Sequence, residues 1–258
     1  MVGKHVLVTG ASGRIGRSLV PALVSRGHAV VAADIEPNAE LADGSVAQIQ
    51  LDITDAAAME RACADVDTIV QLAGHADDAE WNLLHDRNVA ATLTLCRAVR
   101  PGQRIIFASS LHAAGYAPFD MRFDHRTPSP ADSLYGVSKL AAEALLTLHH
   151  ARGGGDVYIL RIGTCRPIPM TARERVTWLS PADCVRLVDA CIRDPAGGHH
   201  LLWGFSANAA ANVDRDAWCR VGYRPRDDAA RFELADDAAD QAGTGRVGGR
   251  FIAATPGI

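Results

Sequence analysis

Tyr135 and Lys139 are the residues of this sequence with the clearest chemical use, because they lie four positions apart at the start of a strongly helical stretch. Side chains at that spacing share one face of a helix. A free tyrosine has a pKa of about 10, which is too high for a base at neutral pH. A neighbouring ammonium group stabilises the phenolate, so such a tyrosine can remove a proton from a substrate hydroxyl. Most pairs of this kind only decorate a solvated helix face, so the assignment depends on the residues around them.

Polar side chains that can assist such a base occur upstream. Ser109 and Ser110 follow the apolar run 104–108, and either hydroxyl can hold a substrate oxygen. Asn88 lies in a predicted helix over 81–99 and can steady a water-mediated proton path at the lysine. The chain therefore contains the parts of a proton-abstraction site.

A glycine-rich turn near the amino terminus, spaced G-x-x-G-x-x-G, joins the apolar run 5–9 to the amphipathic run 15–25. Gly10 allows the dihedrals of the turn, Gly13 leaves room for a pyrophosphate, and Gly16 lets the helix pack tightly on the strand. The N–H groups of the first helical turn then face the phosphates, and the helix dipole favours their charge. Because this turn opens a βαβ unit, it predicts a dinucleotide site.

Asp34 ends the second predicted strand, 18 residues after Gly16. A carboxylate there accepts hydrogen bonds from the adenosine ribose and repels a 2′-phosphate, which favours NAD over NADP. With a hydride acceptor provided, Tyr135 and Lys139 suit an alcohol oxidation in which the base takes the hydroxyl proton while hydride leaves the same carbon.

Apolar runs alternate with amphipathic ones along the chain, which predicts an α/β fold, a Rossmann-type doubly wound parallel sheet covered on both faces. Ligands of such sheets bind beyond the carboxyl ends of the strands, where Gly10, Asp34, Asp52, Gly74 and Ser109 fall. The predicted strands cover 5–9, 29–34, 46–51, 68–72, 104–108, 157–161 and 201–205.

The helix that contains the Tyr-Lys pair has one apolar stripe, and another helix is predicted from Ser180-Pro181 to 192. Residues 236–249, rich in Ala, Asp and Gly, predict a mobile or irregular tail. We expect a single domain over 1–258, in which 1–160 mainly bind the cofactor and 161–258 mainly complete the substrate pocket. The stripe consists of Val137, Leu140, Ala141, Ala144, Leu145 and Leu148.

Composition excludes several classes of function. The 258 residues have a formal net charge of -4 and 5% aromatic residues, which argues against a nucleic-acid partner. A run of 18 apolar residues does not occur, so no membrane span is predicted, and the first strand leaves no room for a signal peptide. Six cysteines without a Cys-x-x-Cys indicate reduced thiols in a cytoplasmic protein. The pairs His149-His150 and His199-His200 lack zinc-ligand spacing, so we expect no metal.

These motifs occur together in the order typical of one family. The chain resembles the extended short-chain dehydrogenases/reductases and, more narrowly, the uronate dehydrogenases. The family-wide motifs are Thr9-Gly10-Ala-Ser-Gly13-Arg-Ile-Gly16, Asn88-Val-Ala-Ala-Thr92 and Tyr135-Gly-Val-Ser-Lys139. The narrower resemblance lies in Phe107-Ala-Ser-Ser-Leu-His112 with Gly115-Tyr116, Arg161-Ile-Gly-Thr-Cys165, Thr177-Trp-Leu-Ser180, Trp203-Gly-Phe-Ser-Ala-Asn208 and Gly248-Gly249.

The resemblance implies oxidation of C1 of a hexuronate pyranose with NAD to an aldarolactone. It implies Tyr135 as the base, Lys139 as its pKa modulator and ribose ligand, and Ser110 as a substrate ligand. Arg173 with Thr164 is implied to hold the substrate carboxylate, for which the arginine fork has the right geometry and charge. Arg175 is an alternative anchor.

The expected site has two parts. Its cofactor-binding residues are Gly10, Ser12, Gly13, Arg14, Ile15, Gly16, Asp34, Ile35, Asp52, Ile53, Leu72, Ala73, Gly74, Asn88, Tyr135, Lys139, Ile162 and Cys165. Its substrate-binding residues are Ala76, Ser110, Leu111, His112, Tyr135, Thr164 and Arg173, with Ser109, Asn88 and Lys139 completing the catalytic set.

Two positions depart from the uronate dehydrogenase pattern. Leu111 stands where the family has an asparagine, and Ala76 replaces an expected serine. Both family residues contact sugar hydroxyls, and two lost polar contacts cost a few kcal/mol if the hydroxyls stay buried and unpaired. A less hydroxylated or differently configured acid is therefore an alternative substrate.

Other functions remain open. A nucleotide-sugar epimerase or dehydratase usually has a larger carboxyl-terminal domain than the chain after Lys139 provides, and a dehydratase has acidic residues near the paired serines. A non-catalytic NAD sensor would not need the Tyr/Lys/Ser set. A dehydrogenase of a neutral aldose or another alcohol differs only at the carboxylate anchor. Because related enzymes pair through helices flanking the sheet, we expect a homo-oligomer.

Overall fold

The computed structural model describes residues 3–38, 41, 44, 46–127, 130–234 and 245–253. Seven parallel strands form its central sheet in the order β3-β2-β1-β4-β5-β6-β9, and β7 and β8 form a separate parallel pair. The strands are β1 His5–Thr9, β2 Ala29–Asp34, β3 Ala47–Gln50, β4 Thr68–Gln71, β5 Arg104–Ser110, β6 Asp156–Ile162, β7 Thr164–Cys165, β8 Trp178–Leu179 and β9 His199–Gly204. The predicted doubly wound parallel sheet is confirmed.

Helices cover both faces of this sheet. They are α1 Arg14–Ser25, α2 Ala56–Ala62, α3 Trp81–Leu84, α4 Ala91–Ala98, α5 Leu134–Ala151, α6 Glu174–Thr177, α7 Pro181–Arg193, α8 Arg215–Arg220 and α9 Arg250–Ala253. A π-helical turn, His85–Ala90, connects α3 to α4. The helix predicted over 81–99 is therefore present, but with a widened turn at Asn88.

The core has two layers because side chains along each strand point alternately to opposite faces. Val6 and Val8 pack with α1 and α7, whereas Leu7 packs with α2, α4 and α5, and all three side chains are fully buried. The strand order reverses direction between β1 and β4, where such sheets open a crevice at their carboxyl ends. Burial of the strands therefore positions the loops that form the site.

Helix α5 turns its polar residues inward. Tyr135, Lys139 and Glu143 are buried against the sheet, whereas Val137 and Leu148 of the apolar stripe are 41% and 45% exposed. The inward face is selected by specific hydrogen bonds to β5 and β6, which an apolar stripe cannot make. The stripe is consequently left on the outside of the described chain.

Residues 245–253 are docked rather than loose. The Val247 N–H donates to the carbonyl of Ala117 at 2.9 Å, and the Gly248 N–H donates to that of Gly115 at 2.8 Å. The irregular part of the predicted tail is confirmed only as turns over 245–249, before α9 begins. Residues 236–244 lie outside the described residues. The docked segment ends beside the carboxyl ends of the strands.

The structure bears on the expected domain division and on membrane-spanning helices. Strand β9, which lies after residue 160, extends the same sheet as β1 to β6, and the division at residue 160 stays a prediction. Within the described ranges, no helix is both long and apolar enough to cross a membrane.

The two histidine pairs meet at the amino ends of β6 and β9. The rings of His150 and His199 lie 5.5 Å apart, and Nε2 of His199 lies 3.1 Å from the hydroxyl of Thr147. His199 is partly exposed, and its pKa is lowered first by partial desolvation and then by the charges of His150 and His200, although Glu143 opposes the shift. Among the described side chains, no group of three or more His, Cys, Asp or Glu is placed to hold a metal ion.

We predict that His199 makes the folded chain less stable in mild acid. Its pKa in the folded state lies below its ordinary value of 6.5, so the unfolded chain binds more protons between the two values. The stability contribution is complete above pH 6.5 and is lost as the pH falls through the folded-state pKa. Thermal melts would measure how far the melting temperature decreases between pH 7.5 and pH 5, and this decrease is expected to be smaller in His199→Asn than in wild type. The matched variant His5→Asn, at an exposed histidine on β1, should follow wild type, and equal losses in all three proteins would contradict the prediction.

Candidate active site

A cleft with a volume of about 990 Å³ runs along the carboxyl ends of the strands. Among the described residues, every one predicted for the site lines this cleft except Asn88. On the cofactor side these are Gly10, Ser12, Gly13, Arg14, Ile15, Gly16, Asp34, Ile35, Asp52, Ile53, Leu72, Ala73, Gly74, Ile162 and Cys165. On the substrate and catalytic side they are Ala76, Ser109, Ser110, Leu111, His112, Tyr135, Lys139, Thr164 and Arg173.

The glycine turn has the shape that a dinucleotide needs. Gly10 has a φ of +70°, and a Cβ there would come within 2.6 Å of the backbone nitrogen of Ala73. A Cβ on Gly16 would overlap the backbone oxygens of Gly10 and Ala11, so only glycine allows α1 to start this close to β1. The amino end of α1 therefore lies at the cleft, and the turn fits a pyrophosphate.

Asp34 stands beside this turn. Its Oδ2 accepts a hydrogen bond from the Ser12 N–H at 2.9 Å, and its Oδ1 accepts one from the Glu36 N–H at 3.3 Å. The carboxylate thus lies at the end of β2, at the rim of the cleft, where a ribose would meet it. Asp52 follows β3, and hydrogen bonds from Thr54 hold the pKa of its carboxyl below the usual range.

We predict that Asp34→Ala reduces the preference for NAD over NADP. Removal of the carboxylate ends its repulsion of a 2′-phosphate, and like charges placed together cost several kcal/mol. The ratio of kcat/KM for NAD to that for NADP should fall about 10- to 100-fold. Glu60→Ala, at an exposed carboxylate on α2 that does not line the cleft, is the control and should keep the wild-type ratio. Unchanged selectivity in Asp34→Ala would refute the ribose assignment.

Tyr135 is 6% exposed, and the hydroxyl of Ser110 is close enough to its phenol to influence the phenol pKa. Burial is the largest influence on this phenol and raises its pKa, as do the charges of Asp132 and Asp77, whereas Ser110 and Arg14 lower it. The chain alone therefore does not lower the pKa of Tyr135 as expected from the sequence. That lowering requires additional positive charge in the cleft.

Lys139 is buried one helical turn further on. Its Nζ donates to the carbonyl of Ala108 at 3.0 Å and lies 4.9 Å from the ring centre of Phe107 and 5.8 Å from that of Tyr135. Burial lowers the pKa of Lys139 to about 8, and the Glu143 carboxylate opposes this shift. The ammonium therefore lies near the phenol while it also titrates close to neutral pH.

Two members of the predicted catalytic set point elsewhere. The hydroxyl of Ser109 donates to Glu143 at 2.5 Å, away from Tyr135. The side-chain amide of Asn88 donates to the carbonyl of His75 at 3.0 Å and to the hydroxyl of Ser138 at 2.9 Å. Both N–H donors of Asn88 are therefore used, and this residue ties the π-helical turn to α5 behind the cleft.

His112 connects the paired serines to the carboxyl-terminal segment. Its Nδ1 lies 2.7 Å from Oδ2 of Asp132, and its ring lies 4.0 Å from that of Phe251 and 5.9 Å from that of Tyr135. Because Asp132 engages Nδ1, the other ring nitrogen remains for a ligand. Leu111, next to it, is 2% exposed and offers only an apolar surface.

Arg173 and Thr164 are together, as the resemblance implied. The guanidinium donates from Nη2 to Oγ1 of Thr164 at 2.9 Å and from Nη1 to the carbonyl of Val247 at 2.8 Å. Arg175 instead donates to the carbonyl of Leu234 at 3.4 Å and lies outside the described cleft wall. Arg173 therefore places a guanidinium held by two hydrogen bonds in the wall of the cleft that the paired serines also line.

Sequence reasoning missed several residues that line the cleft or support it. Phe251 and Arg250 enter from α9, and Arg250 forms an ion pair of 3.7 Å with Asp77 across the opening. Asp132 precedes the Tyr-Lys helix and holds His112. The Gly248-Gly249 pair was the only signal of this segment in the sequence, since these residues form no periodic pattern.

Comparisons with known proteins agree with this geometry. Residues 6–165 match the model of the NAD dependent epimerase/dehydratase family. The chain belongs to this family. It is 36% identical to a uronate dehydrogenase of Agrobacterium fabrum over 89% of this chain and 87% of that protein. It is 31% identical to an L-arabinose 1-dehydrogenase (NAD(P)(+)) of Haloferax volcanii over 88% and 98%.

A solved structure shows the same fold. A mutant uronate dehydrogenase from Agrobacterium tumefaciens, complexed with NAD, superimposes with a TM-score of 0.88 and 31% identity over 98% of both chains. Family membership and this likeness confirm the predicted resemblance, NAD as the cofactor, and an NAD-dependent dehydrogenase that acts on a CH–OH group.

Proposed function

We propose that this member of the family oxidises C1 of a hexuronate pyranose to the aldarolactone. The observation that carries the proposal is the guanidinium of Arg173, fixed by Thr164 and Val247 in the same cleft as Tyr135 and Ser110. An arginine fork matches a carboxylate in geometry and charge. The similarity to uronate dehydrogenases supports the same substrate class.

The residues of the chain have separate roles in this proposal. NAD, when bound, accepts the hydride that leaves C1. Tyr135 removes the proton of the C1 hydroxyl, and Ser110, whose hydroxyl lowers the pKa of the phenol, holds that oxygen. Lys139 holds the nicotinamide ribose and adds positive charge beside Tyr135. That charge, together with the charge of the oxidised cofactor, offsets the burial that raises the phenol pKa.

A dehydrogenase of a neutral aldose is the second candidate. Leu111 and Ala76 offer no hydrogen bonds where sugar hydroxyls would lie, and the Haloferax volcanii relative is named for L-arabinose. Oxidation of another sugar or hydroxy acid, or a nucleotide-sugar epimerase or dehydratase reaction, remains an alternative. The candidate reactions differ in whether the substrate has a carboxylate for Arg173 to bind and in whether the reaction produces NADH.

The experiment is to follow NADH formation at 340 nm with NAD against galacturonate, glucuronate, their neutral parent sugars and simple secondary alcohols. Activity on the uronates alone is the expected result. Activity on the neutral sugars as well would favour the second candidate, and an altered sugar without net NADH would favour an epimerase or dehydratase.

We also propose a homo-oligomer that pairs through α4 and α5. The outward stripe on α5 and Leu93 on α4 leave apolar side chains exposed, and Trp81 and Leu83 on α3 continue them. A contiguous exposed apolar patch on a soluble chain marks an interaction surface. A cytoplasmic location and the absence of nucleic-acid, membrane and metal partners stay predictions.

We predict that Val137→Lys combined with Leu148→Lys shifts the chain to the monomer, because each lysine would place a charge in the apolar interface. Light scattering after size exclusion should show the mass fall to that of a single chain. Ile168→Lys, at an apolar side chain that is 58% exposed, is the control and should keep the wild-type mass. Retention of the oligomer by the double variant would move the interface elsewhere.

A further inference from the structure

Glu143 is a buried charge that the proposed reaction leaves unused. It lies on α5 one helical turn after Lys139, and its side chain is 8% exposed. A buried carboxylate is costly unless it is paired and hydrogen-bonded. Its position directly behind a catalytic lysine therefore calls for a specific function.

Three donors satisfy this carboxylate. Oε1 accepts from the Ser109 hydroxyl at 2.5 Å and from Nε of Arg161 at 3.0 Å, and Oε2 accepts from Nη2 of Arg161 at 2.8 Å. The Arg161 guanidinium is also buried and packs 5.5 Å from the ring centre of Trp203. Glu143 thus has two bonds to one guanidinium and one to a hydroxyl.

These donors come from the strand ends that form the cleft. Ser109 and Arg161 are directly paired neighbours on β5 and β6. Ser109 lies between Ala108, whose carbonyl accepts from Lys139, and Ser110, whose hydroxyl contacts Tyr135. The Glu143 carboxylate therefore fixes the distance between α5, which contains Lys139 and Tyr135, and the end of β5, which contains Ala108 and Ser110.

The proposed function supplies the reaction on which the following inference rests. We propose that Glu143 is a positioning residue, which holds α5 against the ends of β5 and β6 and supplies the negative charge that keeps the Lys139 ammonium charged in its buried place. Arg161 in turn holds the Glu143 carboxylate in place through two hydrogen bonds.

The electrostatic surroundings of Lys139 agree with this. Among the described residues, Tyr135 and Glu143 face it from α5, and β5 contributes the Ala108 carbonyl and the Phe107 ring. Arg161 on β6 lies behind Glu143. Burial lowers the pKa of Lys139, and the Glu143 carboxylate is the group that opposes it. Without Glu143, the lysine is expected to lose its proton closer to neutral pH.

The test measures NADH affinity from pH 6 to 10 by fluorescence, without any sugar. In wild type the affinity should fall as Lys139 loses the proton with which it binds ribose. In Glu143→Gln, which keeps the size of the side chain, this fall should begin about one pH unit lower, so that affinity above it is up to about tenfold weaker. Glu143→Asp keeps the negative charge, so the pH dependence of its NADH affinity should return most of the way to that of wild type.

Asp156→Asn is the matched control, because Asp156 pairs with Arg104 at 2.8 Å between the same two strands but at their amino ends. It should leave the pH dependence unchanged. If Glu143→Gln does not fold, the double variant Glu143→Gln with Arg161→Gln leaves no unpaired guanidinium and should show the same shift. Coincident curves for wild type and the Gln variant would overturn the inference, as would an equal shift in the Asp variant.

This readout separates the inference from the proposed function. NADH binding tests Glu143 even if no uronate is oxidised. Conversely, uronate oxidation by Glu143→Gln at pH 6.5, where Lys139 is still protonated, tests the substrate assignment. There, activity on the uronates but not on their neutral parent sugars supports the substrate assignment, and the ratio of variant to wild-type kcat should be about tenfold lower at pH 9 than at pH 6.5.

Discussion

Tyr135→Phe is expected to lower kcat by about 10²- to 10⁴-fold with any substrate that the chain oxidises, since that is the usual contribution of a positioned general base. The change removes one oxygen from a buried ring. The ring itself still packs beside Lys139 and His112. The fold and the cofactor site should therefore survive, and NADH affinity should stay within a few-fold of wild type.

Steady-state kinetics and NADH fluorescence titration on one preparation would check this result. Tyr116→Phe is the matched control, because Tyr116 is 37% exposed and lies in the loop after β5. It should retain full activity. A Tyr135→Phe enzyme with kcat within about twofold of wild type would show that the phenol is not the base, and the Tyr/Lys/Ser assignment would fail.

Arg173→Ala is expected to reduce kcat/KM for a uronate by about 30- to 5,000-fold, mainly through KM. Truncating one partner of a buried, hydrogen-bonded charge pair costs roughly 2 to 5 kcal/mol. A neutral sugar has no carboxylate at that position, so its much lower kcat/KM should hardly change. The ratio between the two substrates therefore reports the anchor itself.

Arg173→Lys and Arg175→Ala complete this experiment. Lysine keeps a charge but not the fork that contacts Thr164 and Val247, so it should recover only part of the loss. Arg175 lies two residues away and bonds the Leu234 carbonyl, so its removal should leave the uronate kinetics unchanged. Equal losses on charged and neutral substrates in Arg173→Ala would assign Arg173 to structure rather than recognition.

The sheet and the cofactor side of the cleft were predictable because their signals are local. Apolar strands alternate with amphipathic helices along the sequence. The glycine spacing indicates a turn in which the backbone packs too closely for side chains, and the structure shows these close contacts at Gly10 and Gly16. Parallel strands bring all their carboxyl ends to one edge of the sheet. Residues that follow different strands can therefore be assigned to one cleft before any tertiary contact is known.

The remaining features depend on side-chain direction and on contacts over long distances in sequence. Adjacent serines on a strand point to opposite sides, and only the structure shows that Ser110 meets Tyr135 while Ser109 meets Glu143. The π-helical turn rotates Asn88 toward His75 and Ser138, although the sequence shows an ordinary helical pattern. The apolar stripe of α5 was predictable, but not its outward orientation, because periodicity shows amphipathicity and not which side of a helix is buried.

The contact between Arg173 and the carbonyl of Val247 has a consequence for how this chain can change its substrate. A carbonyl belongs to the backbone, so no substitution at residue 247 removes it while the chain keeps its path. Natural or engineered variation that alters the position of Arg173 from this side must act on the length or course of the carboxyl-terminal segment. Libraries aimed at new substrates would therefore do better to insert and delete residues near 245–249 than to exchange side chains there.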